Sequence, residues 1–184
     1  FFSYALLSRN RSNFKFAKKL LTLSISKYPI KIDHYILLAE IYRLEKDFTK
    51  AQELLLTALK LNPRNSNTAY NFSLLYRDLG KNEEALSILN KAIKLMPNNY
   101  VYKLLKADLL KDLGDFHEST SILLDLYSDK NTNDKKDILL MLSTVKRLEK
   151  NFDEAENMLL ESIEVGFGGI APEKITSRFS KTFI

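Results

Sequence analysis

Three prolines, Pro29, Pro63 and Pro97, stand 34 residues apart along the chain. The same residue types return around each, and that period is the length of one helix–turn–helix unit. A chain that repeats one unit has no single closed core. Each unit buries its apolar face against its neighbours and leaves an extended surface suited to holding another molecule.

The unit ending at Pro63 shows the pattern. Its first half places Tyr35, Leu38, Ala39 and Tyr42 on one face of a helix, and its second half does the same with Ala51, Leu55, Ala58 and Leu59. Between them EKDF breaks the pattern, and Phe48 can pack into the corner. One period on come Ala69, Phe72, Ser73, Tyr76, then Gly80, then Ala85, Leu89 and Ala92. Gly80 falls just past a first helix, where a left-handed cap favours glycine. Another period gives Lys103, Lys106, Ala107, Leu110, Gly114, Phe116, Ser119, Leu123 and Leu126, with Asn131 in place of the proline.

On these residues the chain resembles the tetratricopeptide-repeat family, from Phe1 to about Gly166. The family's small residue on the first helix matches Ala5, Ala39, Ser73, Ala107 and Ser143. Its alanine on the second helix matches Ala17, Ala51, Ala85, Ser119 and Ala155. The resemblance implies an all-α fold, a right-handed α-solenoid of about five helix–turn–helix repeats plus a C-terminal helical tail. The array is expected over 1–165, in units of about 1–31, 32–65, 66–99, 100–135 and 136–165. Residues 166–184 then form a Gly-rich break and a C-terminal helix carrying Ile175, Phe179 and Phe183, either a cap or the start of a further element. The first unit begins partway into its first helix without an initiator methionine, as a fragment would. The fifth is displaced by two residues after the polar stretch SDKNTNDKKD, which reads as a longer surface turn.

Composition fits this class. Five Gly and four Pro in 184 residues are too few for a fold of many hairpins. No cysteine is present, so disulfides and thiolate metal sites are excluded. The longest apolar runs, such as YILLA and ILLML, are too short to span a bilayer, so no membrane insertion is expected. Residues 1–32 hold Arg9, Arg11, Lys15, Lys18, Lys19, Lys27 and Lys31 and no acid. The rest of the chain carries 21 basic against 23 acidic groups, so the net charge of +5 originates in the first unit. An acidic partner would suit that unit, but aromatic groups are not interleaved as stacking on bases requires, which favours a solvated helix face.

In the family the first helices line the concave side. The row beside their packing positions reads Ile36, Glu40, Arg43, then Tyr70, Leu74, Arg77, then Leu104, Asp108, Lys111, then Leu140, Thr144, Arg147. Phe2, Leu6 and Arg9 begin it. Two ladders result, one apolar (Phe2, Ile36, Tyr70, Leu104, Leu140) and one cationic (Arg9, Arg43, Arg77, Lys111, Arg147). A protein or peptide with acidic groups beside apolar ones matches both, because arginine pairs with carboxylates through planar, paired hydrogen bonds. The partner-binding candidates are therefore Arg43, Arg77, Lys111, Arg147, Ile36, Tyr70, Leu74, Leu104 and Leu140. The cations also sit in the last turn of each first helix, where a positive charge favours the dipole by about 0.3–1 kcal/mol without any ligand.

The positions that clamp acidic chaperone tails in this family fall on Ile36, Glu40, Asn71, Val101 and Leu105, and only Asn71 matches. His34 and His117 lie on different helices of different units and read as surface residues at helix starts. No phosphate loop or nucleophile elbow occurs. No catalytic residue, cofactor or metal is expected of this segment. The resemblance implies a cytoplasmic protein–protein interaction scaffold that binds a peptide or protein in the concave groove. A second reading is the N-terminal repeat region of a larger enzyme, such as a sulfotransferase or glycosyltransferase. Nucleic-acid binding of the pentatricopeptide kind ranks last, since that family favours a 35-residue period and polar base-reading pairs.

Overall fold

A computed structural model of the chain describes residues 13–129 and 134–166. Expectations for Phe2, Ala5, Leu6, Arg9, Arg11, Asn131 and the tail beyond Gly166 lie outside these residues. Among the described residues the chain forms helices only: α1 (Phe14–Lys27), α2 (Ile32–Leu44), α3 (Phe48–Leu61), α4 (Ser66–Asp78), α5 (Asn82–Leu95), α6 (Tyr100–Leu113), α7 (Phe116–Ser128), α8 (Lys135–Leu148) and α9 (Phe152–Gly166). The fold is an all-α helical repeat. It divides into two compact units, Phe1–Tyr102 and Lys103–Ile184, the division falling inside α6.

The period seen in the sequence is a period in the backbone. Each first helix (α2, α4, α6, α8) is followed by a residue in the left-handed region: Lys46 at φ 64°, Gly80 at 73°, Gly114 at 84° and Lys150 at 63°. The next residue's N–H reaches back five residues to a helical carbonyl, Asp47 to Tyr42, Lys81 to Tyr76, Asp115 to Leu110 and Asn151 to Lys146, each at 2.9 Å. These bonds satisfy carbonyls that the helix end leaves without partners. The second helices end in another shared device. The N–H of Tyr28, Asn62 and Met96 closes the last turn on Ser24, Ala58 and Ala92, and the in-register proline follows. Proline cannot continue a helix, so it ends each unit at the same place. Asparagine or aspartate opens most helices by accepting an N–H from three residues on, as at Asn13, Asp47, Asn65, Asn99 and Asp115.

In the first unit, α1 packs on α2, α2 on α3, α3 on α4 and α4 on α5, and α2 also touches α4 directly. Ala17, Leu21, Leu37, Leu38 and Ile41 form one cluster, and Ala39, Ala51, Leu55, Phe72 and Leu75 form the next. The small residues lie where paired helices cross, with Ala39, Ala51, Ser73 and Ala85 all buried. Ser73 donates its hydroxyl to the Ala85 carbonyl at 2.9 Å, a bond possible only at close helix approach. In the second unit α7 packs on α8 and α8 on α9. Ser119 there donates to the Ala107 carbonyl at 2.8 Å, the same crossing with the roles exchanged. In the last repeat Ser143 turns back to Leu140 of its own helix instead.

Two expectations are corrected. Leu59 was placed on the packing face but is exposed, while Ala58 beside it carries the contact. His34 is buried, not a surface residue, because α2 is enclosed on most of its circumference. Burial lowers its pKa against the opposing pull of Asp33.

Because nothing lies within 4 Å of a Cβ added at Gly80, the cost of a side chain there is purely conformational. Gly80→Ala is expected to destabilise by about 0.5 kcal/mol, the left-handed strain less the entropy that alanine removes from the unfolded chain. Lys46→Gly should gain about 0.5 kcal/mol, the left-handed strain relieved less the entropy glycine adds to the unfolded chain. Urea midpoints that do not move in opposite directions would refute this account. Ala85→Leu overpacks the crossing and should cost about 1–3 kcal/mol, whereas Lys60→Leu on the exposed surface should be near neutral in the same assay.

Candidate functional site

The first helices carry the candidate row, and its residues divide between the units. In the first unit Arg43 and Arg77 occupy the last turns of α2 and α4, as their shared position predicts. They do not stand free. Arg43 donates through Nη1 to Oδ2 of Asp78, and Arg77 Nη2 lies 3.4 Å from the other carboxylate oxygen. One carboxylate therefore touches both guanidinium groups. The Arg43 side chain is only 11% exposed, and its Nε is buried without a hydrogen-bond partner.

Tyr70, on the same face of α4, is half-buried and stacks on Tyr102 of α6, with ring centroids 5.0 Å apart and planes inclined by 24°. Tyr102 is held by its own hydroxyl, which donates to Oδ1 of Asn67 at 2.6 Å and lies 3.3 Å from Ser66 Oγ. Burial raises the Tyr70 pKa. Arg77 and Arg43 work against that rise, and Glu40 and Tyr102 add to it. Arg43, Arg77 and Glu40 thus lie within electrostatic reach of the Tyr70 hydroxyl. The result is an aromatic pair with guanidinium groups and a carboxylate within electrostatic reach. Leu74 is half-buried beside it, while Ile36 is 8% exposed and belongs to the core. Ile36 was expected on the groove. It is buried because α2 packs against both α1 and α4.

In the second unit Leu104 is half-buried, and Leu140 and Arg147 are exposed. Lys111 is bound by two carboxylates, Asp108 at 2.5 Å and Asp112 at 3.2 Å. Burial pulls its pKa down, but the bonds to Asp108 and Asp112 outweigh this and hold it above the ordinary lysine value. Among the basic residues of the first 32, Lys18 pairs with Glu45 at 2.6 Å and lies over the Tyr42 ring.

Sequence reasoning passed over Asp78, Asn67 and Tyr102. A signal for Asp78 was present: it follows the cation directly, and Asp112 follows Lys111 one period later, whereas Leu44 and Leu148 hold that place in two other repeats. Asn71, the one match to the chaperone clamp, is buried and donates to the Asn67 carbonyl of its own helix, which leaves it turned away from any clamp. Among the described residues no group of three His, Asp or Glu side chains is placed to hold a metal ion, and no helix is long and apolar enough to cross a membrane.

Comparisons with known proteins agree with this architecture. The family model for anaphase-promoting complex, cyclosome, subunit 3 matches residues 10–92. A BBSome complex member BBS4 homolog of Drosophila melanogaster is 37% identical over 54 residues, 29% of this chain and 11% of that protein. A thermophilic TPR protein of Thermus thermophilus superposes with a TM-score of 0.74 at 18% identity, over 97% of this chain and 94% of the other. YrrB, described as a TPR protein with an unusual peptide-binding site, gives 0.64 at 16% identity, over 99% and 90%. With the 34-residue period, the matching helix ends and the small-residue crossings, the chain has the helical-repeat fold of the tetratricopeptide-repeat proteins.

The Arg43–Asp78 pair is shielded enough to be measurable. A double-mutant cycle with Arg43→Met and Asp78→Asn should give a coupling of about 1 kcal/mol in urea unfolding, at the upper end for exposed pairs. A coupling near zero would mean that the two side chains do not act on each other in solution.

Proposed function

We propose that this chain is a protein-interaction scaffold, and that the first-helix face centred on Tyr70 holds a peptide segment with carboxylates beside apolar side chains. The observation that carries the reading is the Tyr70–Tyr102 stack, with Arg43 and Arg77 within electrostatic reach of the Tyr70 hydroxyl. A stacked pair with one ring half-buried offers a rigid apolar platform, and the guanidinium groups beside it select anionic neighbours. Leu74 extends the platform. In the second unit Leu104, Leu140, Lys111 and Arg147 offer the same chemistry, and Ile36 supports the face from the core. The peptide-binding site of YrrB, and the membership of the named relatives in multiprotein complexes, fit the same role.

The test is fluorescence anisotropy with a labelled peptide of alternating glutamate and leucine, beside its glutamine–leucine counterpart. The acidic peptide should bind the wild type more tightly, with an affinity that falls as salt rises. Tyr70→Ala should act mainly through a faster off-rate, because a part-buried anchor matters after encounter. Arg77→Gln should flatten the salt dependence. Equal affinity for the two peptides would remove the acidic preference and leave the aromatic platform alone.

A further inference from the structure

We propose that Asp78 is a built-in carboxylate that occupies the Arg43 site until an acidic side chain of a bound peptide displaces it. The inference rests on the peptide-binding reading of this face and adds a competitor within the chain. Four observations lead to it. Asp78 spreads one carboxylate over two guanidinium groups, Oδ2 to Arg43 Nη1 and Oδ1 to Arg77 Nη2, so Arg43 does not receive from it the two-pronged contact its fork can make. Arg43 keeps a buried Nε without a hydrogen-bond partner, a donor that a better-placed acceptor would satisfy.

The fold itself does not call for an acid here. The same position carries Leu44 and Leu148 in two other repeats, each 47% exposed at the end of an ordinary first helix. The carboxylate recurs once, as Asp112 in the next repeat, but only Asp78 reaches the arginine of a neighbouring repeat. Finally, Asp78 keeps part of its side chain in water, so it can turn to solvent when another carboxylate takes its place. An arginine occupied by its own chain lowers the apparent affinity for a competing acid by the fraction of time it is free. Asp78 thereby sets a threshold that rejects weakly acidic segments.

The experiment compares the wild type, Asp78→Asn, Asp78→Asn with Arg43→Met, and the charge-matched control Glu83→Gln. All are titrated against the glutamate–leucine and glutamine–leucine peptides at one ionic strength, with helicity checked by circular dichroism. Asp78→Asn should bind the acidic peptide about fivefold more tightly, as expected if Asp78 holds the site some four-fifths of the time. It should gain nothing for the neutral peptide, and the gain should vanish when Arg43→Met is added. Glu83→Gln should change affinity by less than about twofold, since it removes one exposed charge that makes no contact with Arg43. If Asp78→Asn lowers helicity, Asp78→Leu takes its place, because leucine already holds the equivalent position twice. Weaker or unchanged binding by the helical variant overturns the proposal, weaker binding meaning that Asp78 holds Arg43 ready for the ligand. Binding of the acidic peptide by neither wild type nor variant overturns the peptide reading as well.

Discussion

The close crossing of paired helices is the constraint on which the structure depends. Where Ser73 meets Ala85 and Ala107 meets Ser119, a hydroxyl reaches a backbone carbonyl of the facing helix, so no side chain larger than these fits between. A hydrophobic chain with bulky residues at these points would still collapse, but its helices would stand further apart. The large residues around the crossings, Leu55, Leu75, Leu89 and Leu123, are fully buried because the backbones come together first. The left-handed turn after each first helix serves the same end. It reverses the chain within a few residues and delivers the second helix onto the first.

The first-helix row shows how one sequence position can answer to two demands. A cation in the last turn is favoured by the helix dipole whatever else it does. Arg43, Arg77, Lys111 and Arg147 all satisfy that demand. Their surroundings then differ. Arg43 is shielded and shares Asp78 with Arg77, Lys111 is held by Asp108 and Asp112, and Arg147 is exposed. A ladder that looks uniform as a list of residues is therefore graded in how available each charge is. Asp108 and Asp112 lie on the helix of Lys111 and Asp78 on that of Arg77, whereas Arg43 meets Asp78 from another helix.

Much of the fold was legible because the determinants are local and repeated. The turn at Gly80 follows from glycine's tolerance of positive φ, and the unit ends follow from proline's missing N–H. Lys46 and Lys150 occupy the same turn without that intrinsic preference, and only their alignment with Gly80 and Gly114 hints at it. The candidate site was legible in part. Periodicity put Tyr70 and Arg77 on one face. It could not show that Ile36 is enclosed, since its burial depends on how many neighbours surround α2.

The sequence by itself determined the repeat, the helix ends, the small residues at the crossings and the cation at each first-helix end. Each of these is decided by groups within a few residues of one another, or by a pattern that recurs at a fixed interval. The tertiary structure decided which of those groups meet. Asp78 finds Arg43 35 residues away, and Tyr102 finds Tyr70 across two helices. Such meetings depend on the distance and angle between packed helices. Those are set by the sum of all the contacts between them, and no single stretch of residues carries that sum.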